Sequence, residues 1–72
     1  MFTYQMVAKE INEIMDQASL AKSAAYEALV HAQTPNDPMC ETKLADLEAR
    51  NLEVTKLLKQ LKSKMDYMRN QT

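Results

Sequence analysis

The sequence predicts an all-α protein, an antiparallel two-helix hairpin of coiled-coil character. Its helices run over about 4–33 and 38–69, with a turn at 34–37. Three observations predict it. Apolar and small residues recur every three or four positions in both halves. The chain has no glycine, and its only two prolines, Pro35 and Pro38, stand three residues apart near the middle. The pattern of one half is the mirror image of the other about Asn36. At 72 residues this is a single domain, near the size where one core only just suffices for stability.

The first helix is read from Tyr4, Val7, Ile11, Ile14, Ala18, Ala21, Ala25, Ala28 and Ala32, whose spacing alternates 3 and 4. That is the seam of an amphipathic helix. The turn follows. Pro35 disfavours helical geometry at Thr34 and so stops the first helix. Asp37 is a favourable N-cap, Pro38 suits the first helical position, and Glu41 brings negative charge into the first turn. The second helix carries the series Cys40, Leu44, Leu47, Asn51, Val54, Leu58, Leu61, Met65 and Met68. Alanine, leucine, methionine, glutamate and lysine fill the gaps, and all are good helix formers.

A connection this short makes the two helices antiparallel neighbours. Folded about Asn36, each seam residue of the first helix meets one of the second whose number adds with its own to 72. Val7 meets Met65, Ile14 meets Leu58, Ala25 meets Leu47 and Ala32 meets Cys40. Toward the turn alanine faces leucine, so small meets large and the axes can approach closely. Lys56, Lys59, Lys62 and Lys64 fall across from the acidic cluster at 10–16, which favours the same register. Asn51 is the one polar seam residue. It either fixes register or association state, or simply hydrogen-bonds a nearby side chain or reaches solvent beside Ala21.

Composition removes several function classes. A formal net charge of -1 gives no general drive toward nucleic acid or an anionic membrane, and the lysines of "KLLKQLKSK" alternate with leucines around a helix. The start, "MFTYQMVAK", lacks a basic n-region, and no apolar run is long enough to span a bilayer. A soluble, cytoplasmic protein is expected. Cys40 is the only cysteine, so no internal disulfide can form, as suits a reducing compartment.

No catalytic residues, metal ligands or cofactor are assigned. His31 is the only histidine, one turn from Glu27 and close in sequence to Cys40, but there is no CxxC or HExxH spacing. A solvated histidine near a helix C-terminus is the simpler account. A hairpin also offers no pocket to preorganise a Cys/His pair. The chain is expected not to be an enzyme.

What the seam leaves over is informative. A hairpin buries one strip, yet many apolar residues lie off it. Met15, Leu20, Tyr26, Leu29 and Val30 in the first half, with Ala45, Ala49 and Leu52 in the second, are the candidate partner-binding residues. So much apolar surface on so thin a scaffold calls for a covering partner, and the six methionines suit an adaptable contact. Homo-oligomeric bundling accounts for the same residues.

The hairpin of about 70 residues, its "TPNDP" turn and its surplus apolar surface resemble the small co-chaperones of type III secretion needle subunits, the YscE, PscE and EscE type. The likeness spans the whole chain in size, layout and amphipathic pattern, and rests on no single signature residue. It implies a hairpin that pairs with a larger tetratricopeptide-like chaperone, the two together holding a needle subunit soluble and monomeric. Needle subunits themselves have a P-x-[DN]-P turn, which Pro35, Asn36, Asp37 and Pro38 match. That pattern also expects a tyrosine-containing stretch after the turn and a short, apolar-ended C-terminus. This chain instead has "MCETKLADLEARN" and ends "YMRNQT". A heterodimeric coiled-coil adaptor with no secretion role is the third reading.

Overall fold

A computed structural model describes residues 2–70, and over them the chain is an all-α helical hairpin. Helix α1 runs Tyr4–Ala32 and helix α2 runs Pro38–Asn70, packed against each other along their length. The rod measures 57 × 16 × 12 Å. Its long dimension follows from α2, since 33 residues at ~1.5 Å each give about 50 Å.

Each terminus at the turn ends for a local reason. The Thr34 amide donates to the His31 carbonyl at 3.2 Å, and the Gln33 amide donates to the Val30 carbonyl at 3.3 Å. Residues 34–37 then form a β-turn closed by the Asp37 amide donating to the Thr34 carbonyl at 3.3 Å. Pro35 holds the second position and Asn36 the third, with φ at 63°, the pattern of a type II turn. Asparagine tolerates this left-handed conformation better than any other residue but glycine, which the chain lacks. Asp37 then caps α2, its Oδ1 accepting from the Met39 amide at 2.9 Å. At the other end of α1, Thr3 is extended and accepts from the Met6 amide through its hydroxyl. Sequence reading passed over that cap.

The seam differs from the expected one in a regular way. Half of it stands: Val7, Ala21 and Ala28 of α1 and Leu61 of α2 are buried, and Ile14, Cys40, Leu47, Val54 and Met68 are half-buried. The other half lies one residue earlier than predicted on both helices. Glu10, Gln17, Ala24 and His31 are more enclosed than Ile11, Ala18, Ala25 and Ala32, and only Ala24 of them is fully buried. Lys43, Arg50 and Leu57 stand closer in than Leu44, Asn51 and Leu58, while Lys64 and Met65 are both exposed. Bonds of His31 with Asp37, Glu27 with Lys43 and Glu10 with Lys64 link the helices antiparallel along the rod. Long charged side chains can lie along the groove on their methylene stems while their heads stay wet. Ala24, only 3% exposed between Ala21 and Ala28, lets the axes come close near the turn.

Candidate interaction surface

That rotation gives the rod two unlike flanks. On one, the residues just outside the seam are charged and paired across the helices. Lys43 Nζ reaches Glu27 Oε2 at 2.9 Å, and Lys64 bonds Glu10. Hydrogen bonding to Glu27 raises the Lys43 pKa above its usual value. Lys64 also sits 5.4 Å from the centroid of the Phe2 ring, so one ammonium ties the start of α1 to the end of α2. Glu10, Glu13, Ile14, Leu57 and Gln60 line a cleft on this side. Lys56, Lys59 and Lys62, expected opposite the same acids, make no ion pair among the described residues.

The opposite flank is built from the residues that the sequence pattern placed in the seam. Tyr4, Ile11, Ala18 and Ala25 of α1 run beside Leu44, Asn51, Leu58 and Met65 of α2. Tyr4 and Met65 line one cleft together with Met68 and Arg69. Leu44, Leu47, Glu48, Asn51, Leu52 and Thr55 line a second, open groove along α2. The large side chains here are exposed, from 76% at Tyr4 to 39% at Met65. No charged side chain belongs to this strip. Glu41, Glu48, Lys62 and Arg69 stand along its outer border on α2.

All eight candidate partner residues are at the surface, but they do not form one patch. Met15 and Leu29 border the apolar flank on α1, one helical row outside Ile11 and Ala25. Leu20 shares the charged flank with Glu13 and Glu27. Tyr26 and Val30 lie on the back of α1, away from α2. Ala45, Ala49 and Leu52 lie on the back of α2, on the opposite side of the rod, with Leu52 reaching the edge of the groove at Asn51. The exposed residues missed as surface are Tyr4, Ile11, Leu44, Leu58 and Met65. Their signal was present: this row is more apolar than the row actually packed, which marks a second contact rather than the first.

The chemistry-bearing side chains cluster at the turn. His31 Nδ1 lies 2.8 Å from Asp37 Oδ2, so the histidine is tied to the α2 cap rather than simply solvated. That hydrogen bond, aided by the Met39 amide, holds the Asp37 carboxyl below the usual carboxylate range. The Cys40 thiol donates to the Ala28 carbonyl at 3.7 Å. These contacts join the end of α1 to the start of α2. Among the described residues no three His, Cys, Asp or Glu side chains converge as a metal site requires, and no helix is long and apolar enough to cross a membrane.

No protein family, curated protein or solved structure matches the chain.

Proposed function

We propose that this chain is a non-enzymatic binding module, and specifically a small co-chaperone. In this reading it pairs with a larger tetratricopeptide-like chaperone to keep a type III secretion needle subunit soluble and monomeric in the bacterial cytoplasm. The observation that supports a binding role is the mismatch between core and surface. Among the described residues five are buried, all aliphatic and three of them alanine, while fourteen large hydrophobic side chains are exposed. A monomer gains nothing from such a surface, whereas a partner helix laid against it buries apolar area at about 25 cal/mol per Å². A polymerising amphipathic subunit needs that kind of cover until export. The co-chaperone assignment itself rests on the likeness of size, turn and layout described above.

Affinity capture of the chain from a bacterial host, followed by mass spectrometry, tests it. The expected co-purifying proteins are a tetratricopeptide-like chaperone and a needle subunit, and co-expression should raise the melting temperature of the complex over that of either chain. The double variant Tyr26→Asp, Leu29→Asp should abolish capture while leaving helical circular dichroism intact. Filaments of the purified chain at micromolar concentration would instead make it a needle-like subunit, consistent with the Pro35–Pro38 turn. A partner of another class, bound through the same surface, would make it a general helical adaptor.

A further inference from the structure

The apolar flank carries a charge pattern along its border on α2. Glu41 and Glu48 stand in the first half of that row, Thr55 at its middle, and Lys62 and Arg69 in the second half. Acid therefore precedes base symmetrically about Thr55. Such a row complements an antiparallel copy of itself. Glu48 and Lys62 make no ion pair within the chain among the described residues, while Arg69 pairs with Asp66.

We propose that two copies of this chain pack apolar flank to apolar flank, with turns at opposite ends and α2 lying antiparallel on α2 about a two-fold axis beside Thr55. In that arrangement Glu48 of each copy meets Lys62 of the other, and Glu41 meets Arg69. Leu44 reaches Met65 of the second copy, and Asn51 lies beside Leu58. The same axis passes α1 near Ala18, where the small side chain lets the two α1 helices approach. The rows facing the centre of the resulting four-helix bundle hold no charged residue.

With both turns at one end, α1 would face α2 of the second copy. Lys22 would then meet Glu48, but Leu29 would meet Glu41 and Ala8 would meet Lys62. Charge thus selects the antiparallel form.

The area agrees. The chain exposes 5797 Å², against roughly 4,600 Å² for a globular monomer of its mass. The excess of about 1,200 Å² is what one subunit of a stable homodimer covers, at about 1,000 Å² or more per partner.

This inference concerns the chain alone and does not rest on the co-chaperone reading. Sedimentation equilibrium of the full chain from about 1 to 100 µM should give twice the chain mass. Glu48→Lys should weaken the dimer about tenfold by setting like charges together on both sides of the axis. Lys62→Glu should do the same, and the two changes combined should restore association. A spin label at Gln33→Cys, in a Cys40→Ala background, should report about 45 Å between copies, since each label lies about 15 residues from the axis at ~1.5 Å per residue. A mass equal to one chain throughout the range overturns the proposal. So do filaments, a label distance under about 25 Å, or a double variant no better than the singles. Failure to capture a chaperone from the host leaves these measurements untouched.

Discussion

Leucine in place of Ala24 probes the packed seam directly. Ala24 is 3% exposed, with Ala21 and Ala28 on either side of it at 6% and 4%. Leucine adds three carbons at a position that the packed helices leave almost no room around. Overpacking of this kind costs about 1–3 kcal/mol. For a chain of this length that is a fall in Tm of about 6 °C per kcal/mol, or roughly 6–18 °C. Thermal unfolding followed by circular dichroism at 222 nm measures it, with Ala45→Leu on the exposed back of α2 as control, expected within about 3 °C of the parent. Had the contact run through Ala25, as the apolar pattern alone indicates, leucine at position 24 would be tolerated. An unchanged or raised Tm for Ala24→Leu would therefore refute the seam described here.

The remaining predictions concern the helix ends. The Asp37 pKa is depressed in the folded chain, so its contribution to stability is complete above its ordinary value of 3.8 and drains as pH falls below that, through the folded pKa. Asp37→Asn should therefore melt below the parent at pH 6, with the gap closing toward pH 2.5; a gap that persists undiminished in acid would show that the ionised carboxylate is not what holds the turn. Thr3→Ala removes the side-chain cap of α1 and should cost about 1 kcal/mol, read as faster amide exchange at Met6 than in the parent.

The turn was legible in the sequence because each of its residues has few conformational options. Proline fixes its own φ and restricts its predecessor, asparagine enters left-handed geometry, and aspartate caps. Helix extent and the antiparallel hairpin were legible for a similar reason, since two amphipathic patterns joined by a four-residue turn must fold back on each other. The rotation of the helices was not. Three apolar rows run along this chain, and a hairpin contact can use only part of them. Counting apolar residues favours the row of Ile11, Leu44, Leu58 and Met65, while ion pairs such as Lys43 with Glu27 make the neighbouring row workable. Periodicity cannot separate a surface meant for the same chain from one meant for another. His31 illustrates a different gap: its bond to Asp37 spans the turn and depends on the angle at which α2 leaves, which no spacing rule encodes.

Sequence separation between facing residues grows steadily along the rod, from 6 at His31–Asp37 to 54 at Lys64–Glu10. Each contact made nearer the turn shortens the loop that the next must close, so the helices are expected to zip from the bend outward. The Phe2–Lys64–Glu10 clasp is then the final tooth to engage and the first to release. Whatever parts the two helices would begin at that far tip, working the molecule like a pair of tongs sprung at residues 34–37.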